Sequence, residues 1–513
     1  MRKKKNKNAD LDAIIESFKT IEPDCEHFGE CGGCYMRQLS YEDQLKAKDE
    51  AVKKLFMDVI PEEFDSIYEG ITASPVTAGY RNKMEFSFGD MEMGGPLTLG
   101  LHKKGSFYDI LPVDECQIVD TDFRTILKVT QQFFRDRNIT YLHKRTHEGY
   151  LRHLLIRKAR FTGEILVDLV TVKDCPLGED FEKTLLEDYT TLLISQKYEG
   201  KLCGVLHTKN DSLADTVMDE GTDVLFGESY FYEELLGLRF KITPFSFFQT
   251  NSAGAEVLYS KARDFLLSAL PGGNLNGKVL YDLYSGTGTI AQLLSPVCEK
   301  VVGVEIVEEA VEAAKENAKL NGISNCEFVA GDVLKVIDDM PVKPDCIVLD
   351  PPRDGIHPKA LPKIISFGVD YILYIACKPK SLARDLPAFM AHGYKPVRMC
   401  TVDQFPATQH VETCVLLCHQ KATKYATFEY TPDGSYMDGL NKHASYREIN
   451  EYIEAKYGYK VHSAYIAQVK RECGIEMGEN FNLSKSEDYE PMRVTEEKRK
   501  AIKEALKHFN MIE

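Results

Sequence analysis

The rhythm of apolar and polar positions changes along the chain. From about 70 to 246, short β-rich runs at 83–90, 98–105, 164–172 and 202–208 alternate with turns. One helix is expected near 121–138, so this stretch predicts a mixed α+β sheet domain. From about 247 the order becomes strand, loop, helix, which predicts a parallel sheet covered on both faces. Its strands are expected at 279–283, 300–304, 346–349, 371–376 and 413–418. Its helices fit 287–295, 307–321, 359–366 and 380–391. Ahead of both lies a charged helical stretch near 41–58 that sets Leu45, Val52, Leu55 and Phe56 on one side. The expected layout is a basic flexible tail (1–18), a central domain (19–36 with 70–246) and a helical segment (37–69) packing on the domain that spans 247–420. A mainly helical appendix follows at 421–513. There Ser445 and Glu448 read as a capping box opening a helix to about Lys456, with further helices at 463–473 and 495–508. Its near-balanced charge suits packing better than a helix-turn-helix.

Composition narrows the class. A chain of 513 residues, 43% hydrophobic and 28% charged, is an ordinary multidomain globular protein. No run approaches the roughly 18 apolar residues of a membrane span. The basic start has no apolar h-region, so a cytoplasmic location is expected. Fourteen cysteines in such a chain point to a metal site or catalysis rather than a disulfide framework. The net charge of −16 does not exclude nucleic acid, because phosphate contacts need only one basic face. Basic residues cluster at 2–7, at Arg81 and Lys83, and across 152–160.

Between Asp282 and Thr289 a strand ends, and Gly286 and Gly288 open a helix. Glycines let backbone approach a ligand, and the helix start offers free N–H groups. Glu305 closes the next strand, where a carboxylate can accept both ribose hydroxyls. The loop also satisfies the dinucleotide fingerprint, so an NAD-dependent oxidoreductase competes. Asp282 before the glycines and Asp332 after the third strand favour S-adenosylmethionine.

Asp350, Pro351, Pro352 and Arg353 follow the fourth strand. In amino-methylating enzymes a similar turn ends in an aromatic residue, and Arg353 here argues against amine methylation. Cys377 ends the next strand, and His410, Val411 and Glu412 precede the last. Carbon 5 of uracil is too weak a nucleophile to take a methyl group unaided. A thiolate adding at carbon 6 activates it, and a carboxylate must then remove the carbon-5 proton. Cys377 and Glu412 have the chemistry for these roles. Lys378 and a helix start near Ser381 should favour the thiolate.

These motifs, together with the run from Pro244 to Asn251, resemble the RNA uracil-5-methyltransferase family, in particular its iron–sulfur branch acting on 23S ribosomal RNA. The resemblance covers Cys25 to about residue 420. It implies a Rossmann-like class I methyltransferase domain, with Cys377 as nucleophile and Glu412 as general base. Gln249, Tyr284, Glu305 and Asp350 would contact S-adenosylmethionine, with Asp332 nearby. The chain departs from the family at Lys378, where asparagine is usual. It also departs in the lack of room for an amino-terminal RNA-binding barrel before Cys25, and in the appendix.

Cys25, Cys31 and Cys34, with Gly32 and Gly33 between, have ligand-like spacing. Four thiolates suit an iron–sulfur cluster or zinc, although zinc ribbons prefer two short pairs. From spacing alone Cys116 and Cys175 are equal candidates for the fourth ligand. The resemblance implies a [4Fe-4S] cluster with Cys116, structural or part of the RNA-binding surface. The RNA partner must present an unpaired or flipped uridine, and no obligate protein partner is implied. Arg81, Lys83, Arg152 and Arg157 are the expected phosphate contacts. The expected function is methylation of carbon 5 of a uridine in 23S ribosomal RNA. The alternatives are transfer-RNA uracil-5 methylation and a non-catalytic iron–sulfur RNA-binding protein.

Overall fold

The computed structural model describes residues 9–214, 216–270, 273, 275–336, 340, 342–420, 446–473, 494–509 and 511–512. Two compact units divide at Thr423 and Lys424. The basic run at 2–7 and Ser445 of the expected capping box lie outside the described residues.

The amino-terminal segment is not wholly a tail. Ala9–Glu16 forms helix α1, and its Ile15 is buried against Met36, Leu39 and Ala47. Helix α2 (Tyr41–Met57) starts at Ser40, whose hydroxyl accepts the Asp43 N–H at 3.2 Å. Of the expected apolar stripe, Val52 and Phe56 are buried, joined by Gln44, Ala47 and, against expectation, Lys48. After the short helix α3 (Phe64–Ile67) the chain becomes strand β1 (Tyr68–Thr72). The segment expected to be helical to residue 69 therefore ends as a strand.

The central sheet is built from β2 (Lys83–Gly89), β3 (Thr98–His102), β4 (Ile110–Pro112), β5 (Leu151–Lys158), β6 (Glu164–Thr171), β7 (Lys201–Lys209) and β8 (Thr222–Gly227). Its order is β4-β3-β2-β5-β6-β7-β8, and every pair is antiparallel except β6–β7. Helix α4 (Thr121–Asp136), capped by Asp120, and helix α5 (Glu179–Ser195) bury Phe134 and Tyr189 against it. A hairpin of β9 (Phe231–Leu235) and β10 (Leu238–Ile242) leads to helix α6 (Ser252–Ala269).

The second sheet has the order β1-β16-β17-β15-β14-β11-β12-β13. Its strands β11 (Leu275–Leu283), β12 (Cys298–Glu305), β13 (Cys326–Ala330), β14 (Cys346–Leu349) and β15 (Tyr371–Ala376) run parallel. Two further strands make the sheet mixed rather than all-parallel. β17 (Glu412–His419) lies antiparallel between β15 and β16 (Tyr394–Val402), and β1 closes the edge parallel to β16. Helices α6, α7 (Thr289–Leu294) and α8 (Glu308–Leu320) cover one face. α2, α3, α10 (Ala360–Ser366) and α11 (Pro379–Met390) cover the other, and α9 (Val333–Val336) is a single turn after β13. Such two-sided cover explains why these strands read as continuous apolar runs.

The second unit contains α12 (Tyr446–Tyr457), α13 (Ser463–Glu472) and α14 (Glu496–His508), packed through Ile449, Ile453, Ile466, Val469 and Ile502. Among the described residues, no helix is long and apolar enough to cross a membrane.

Two of the expected phosphate contacts are structural instead. Arg152 is buried and donates to the carbonyls of Asn210, Ser212 and Ala214. Arg157 is 1% exposed and donates to the carbonyls of Thr243, Pro244 and Ser246 at 2.6, 3.0 and 2.8 Å. A guanidinium offers five donors in a fixed fork, which is what a turn of converging carbonyls requires. Replacing Arg157 with Met strands three acceptors, so urea unfolding should show a loss of about 3 kcal/mol or more. The folded variant should keep the wild-type salt dependence of RNA binding; a flattened slope would restore Arg157 to the phosphate contacts.

Candidate functional site

The strands that carry the site residues end in one row. Leu283 pairs with Val304 on one side and Leu349 on the other, so the residues that follow, Tyr284, Glu305 and Asp350, lie side by side at the strand ends. In the antiparallel pair, Ile375 faces Cys414 and Ala376 faces Thr413. One further step in that register opposes Cys377 to Glu412. Directly opposed residues share a face, so thiol and carboxyl point into the same space.

That space is a cleft of about 1440 Å³. Its walls include Gln249, Tyr284, Glu305, Asp350, Cys377 and Glu412 from the expected set. Asp332 is not among the walls; its carboxylate accepts the Leu334 N–H at the start of α9, and its charge acts on Tyr284. Sequence reading missed Tyr259, whose buried hydroxyl reaches Gln249 beside Asp350. It lies on α6, a helix with no strong amphipathic stripe, whose one clear sign was Asn251, the side chain that caps it.

The glycine loop is shaped for close approach. Gly288 has φ +75°, and a Cβ there would meet Phe328 at 2.7 Å. Tyr284 also takes a positive φ, 72°, rare for a bulky residue, while its N–H is tied to the Val304 carbonyl at 2.9 Å. The Glu305 carboxylate accepts the N–H groups of Gly286, Ile306 and Val307. Asp282 is fully buried: one oxygen accepts the Ala291 N–H at 2.9 Å and the other has no hydrogen-bond partner among the described residues.

Acids crowd this site. Burial pushes Asp350 up to about 7. Burial, with Asp350 nearby, pushes Asp282 and Glu412 each up to about 8. The Cys377 thiol is raised to about 12 by burial and by Glu412 and Asp350, and the cation that opposes them is Arg353. The expected activation by Lys378 is not what the structure has: its ammonium lies 3.8 Å from Asp354, and it is the N-cap of α11. Arg353 also contacts the His410 ring at 3.0 Å, and burial with that neighbouring charge lowers His410 to about 4. Two disfavoured carboxylates in the cleft wall, Asp350 and Glu412, with Asp282 buried nearby, suit a ligand that brings positive charge, as a sulfonium does.

The loop leading to Glu412 is clamped. Lys48 of α2 is 2% exposed and donates to Asp403 at 2.7 Å and to the Phe405 carbonyl at 3.0 Å. The Gln44 side chain accepts the Ala407 N–H. The N–H groups of Tyr35 and Met36, next to Cys34, both donate to the Ala407 carbonyl. From the other side, Asn251 and Gln404 bond each other and approach Gln249.

Cys25, Cys31, Cys34 and Cys116 are half-buried free thiols in one region. Burial raises Cys31, Cys34 and Cys116, and the four act on one another: Cys25 and Cys34 on Cys31, Cys25 on Cys34, and both Cys34 and Cys31 on Cys116. Cys175, equal to Cys116 on spacing, is influenced by Glu182 and by no other cysteine. Among the described residues, however, no group of three or more His, Cys, Asp or Glu side chains is disposed to hold a metal ion. The thiols share a region without forming a closed ligand set.

Residues 40–420 match the tRNA (uracil-5-)-methyltransferase family. An uncharacterized RNA methyltransferase of Clostridium acetobutylicum is 50% identical over 410 residues, covering 80% of this chain and 87% of the relative. One from Clostridium tetani is 47% identical over 415 residues, covering 81% and 88%. The crystal structure of the Pyrococcus abyssi tRNA (uracil-54, C5)-methyltransferase with S-adenosyl-L-homocysteine is similar at TM-score 0.60 and 25% identity. That likeness covers 76% of this chain and 86% of the other.

Removing the Lys48 ammonium leaves Asp403 buried and unpaired. Lys48→Met should therefore cost about 3–5 kcal/mol in chemical denaturation. Adding Asp403→Leu should recover most of it, since an apolar pair replaces a buried ion pair at little cost. A single variant within about 1 kcal/mol of wild type would remove the clamp from the account.

Proposed function

The chain belongs to the tRNA (uracil-5-)-methyltransferase family and methylates RNA uracil at carbon 5 with S-adenosylmethionine; we propose that Cys377 and Glu412 carry the reaction and that the target uridine lies in 23S ribosomal RNA. The observation that carries the catalytic reading is the antiparallel register that opposes Cys377 to Glu412 at the cleft wall, beside Asp350.

Cys377 Sγ bonds to carbon 6 of the flipped uracil, and the C5–C6 electron pair moves towards the carbonyl. The sulfonium donor, when bound, supplies the methyl group that carbon 5 takes. Gln249, Tyr284, Glu305 and Asp350 hold that donor against the glycine loop. Glu412 then removes the carbon-5 proton, the double bond re-forms, and the C6–S bond breaks to release Cys377 as thiolate. Arg353, the cation facing Cys377 and Glu412, opposes their burial and favours both charged forms.

Ribosomal RNA is favoured over transfer RNA by the cysteine segment, which the resemblance ties to the iron–sulfur branch. The thiols of Cys25, Cys31, Cys34 and Cys116 lie in one region, and the branch assignment rests on the resemblance and not on a ligand set formed among the described residues. A [4Fe-4S] cluster on Cys25, Cys31, Cys34 and Cys116 would need those side chains to close round it, and no catalytic step is assigned to it. Anaerobically purified protein should contain iron and acid-labile sulfide, lost in Cys34→Ser; iron-free protein with intact thiols would discard the cluster. Mapping 5-methyluridine in cells lacking the protein decides the substrate. Loss from transfer RNA with ribosomal RNA unchanged would overturn the ribosomal assignment.

RNA carrying 5-fluorouridine at the target should form a covalent adduct that maps to Cys377 and is absent in Cys377→Ala, because Glu412 cannot remove fluorine. An adduct elsewhere would reassign the nucleophile. Glu412→Gln should accumulate methylated, still-attached RNA. In the donor-free site Glu412 is raised to about 8, so its basic form fills as pH rises through that value. Release of methylated RNA should therefore accelerate with pH through about 8 and level off about one pH unit higher. A flat profile through that window would give proton removal to another group.

A further inference from the structure

With Arg152 and Arg157 buried, two of the four expected phosphate contacts are lost, and Arg81 lies in the cleft wall itself, so the RNA flanking the target needs further contacts. One surface combines the features that unpaired RNA requires. The β3–β4 turn carries Lys103, Lys104, Phe107 and Tyr108, and the loop before β5 carries Lys144 and Arg145. Phe107 is 56% exposed and Tyr108 43%, although nothing in their local sequence asks for exposed aromatics. The rings are ordered rather than scattered. Phe107 lies parallel to His102 at 6.3 Å between centroids, and Tyr108 stands edge-on to Phe107 at 5.5 Å. Each is fixed by a cation: Lys144 at 4.4 Å from the Phe107 centroid and Arg145 at 4.5 Å from that of Tyr108. Lys104 sits 5.4 Å over Tyr35, and Lys103 pairs with Glu30 at 3.3 Å.

This surface is continuous with the cleft. His102, which stacks on Phe107, is a cleft wall, as are its neighbour Leu101 and the cysteine-loop residues Gly32 and Gly33. Cys31 forms a β-bridge to Lys103, and Lys104 N–H donates to the Glu30 carbonyl, so the cysteine loop braces the turn. A strand of RNA whose uridine enters the cleft would leave across these rings.

We propose that the turn at 103–108 and the loop at 144–145 form a binding platform for the unpaired RNA flanking the target uridine. Phe107 and Tyr108 stack on bases, and Lys104, Lys144 and Arg145 face phosphates. The proposal rests on the RNA-methylating reading. Alternating cations and aromatic faces match alternating phosphates and bases, which favours a single strand over a protein surface or a duplex. In a chain of net charge −16, such a local basic patch also sets where a polyanion can approach.

The test uses the full chain and fluorescein-labelled oligouridylate, read by anisotropy across a salt series. Phe107→Ala with Tyr108→Ala should weaken binding about tenfold or more, because stacking of each base is lost. Lys104→Gln with Arg145→Gln should reduce the slope of log Kd against log salt by about 1.4, two contacts at roughly 0.7 each. Both double variants should keep the wild-type unfolding midpoint, since the side chains are exposed, and should still form the 5-fluorouridine adduct at saturating RNA. Wild-type affinity and slope in both variants overturns the platform, as does failure of the intact protein to bind oligouridylate. Equal loss of duplex binding in the aromatic variant overturns the stacking role. If the intact protein forms no adduct while the variants lose oligouridylate binding, the platform stands and the catalytic reading falls.

Discussion

The pairing of β15 with β17 is the constraint on which the site depends. In the parallel part of the sheet, neighbouring strands end side by side and each runs on into its own loop. The antiparallel strand reverses direction, so its first residue meets the last residue of its partner. Glu412 begins β17 and Cys377 follows β15. Because a slip of one residue would turn both groups to opposite faces, the buried apolar residues along these strands fix the chemistry as well as the core. Leu373 faces Leu416 and Ile375 faces Cys414, all buried, and that packing holds the register.

Desolvation then sets the character of the cleft. Asp282, Asp350 and Glu412 are all buried, which disfavours their charged forms, and Asp350 adds repulsion on Asp282 and Glu412. The same burial raises the Cys377 thiol. A site left this way is poorly suited to act alone and well suited to act once a cation enters. The charge that binding brings lowers all of these groups together, so reactivity is coupled to occupancy. Arg353 is the part of that charge the chain supplies permanently. It follows the Asp-Pro-Pro turn, contacts the His410 ring and favours the charged form of the thiol.

Much of this was legible in the residues, and the failures have physical causes. The strands at 346–349 and 371–376 were read to the residue because both faces are covered and the apolar run is unbroken. β16 was missed because Lys395, Pro396 and Arg398 interrupt its apolar residues, and a register irregularity falls there. α1 was mistaken for tail because it buries little more than Ile15, against a partner that periodicity does not reveal. Arg152 and Arg157 looked like phosphate contacts because a charge in sequence carries no sign of burial. Only the converging carbonyls of 243–246 show what Arg157 is for. Asp332, expected near the cofactor, acts on Tyr284 of the cleft while one of its oxygens accepts the Leu334 N–H.

The same contacts explain why the cysteine segment matters to a reaction that needs no electron. The Ala407 carbonyl receives two N–H groups from residues adjoining Cys34, and Ala407 itself holds a positive φ of 64°. That backbone is strained, so it stays put only while its neighbours over-determine it. Lys48 and Gln44 restrain the loop from α2, and the segment from Tyr35 to Met36 restrains it from the other side. The loop ends at Glu412. The cysteine segment also bridges to Lys103 in the turn that carries Phe107 and Tyr108. One short stretch of chain thus touches both the backbone leading to the base and the turn at the mouth of the cleft. Loosening it would shift Glu412 relative to Cys377 and shift the turn relative to both. Order in this segment is therefore worth conserving on geometric grounds alone, whatever occupies its thiols.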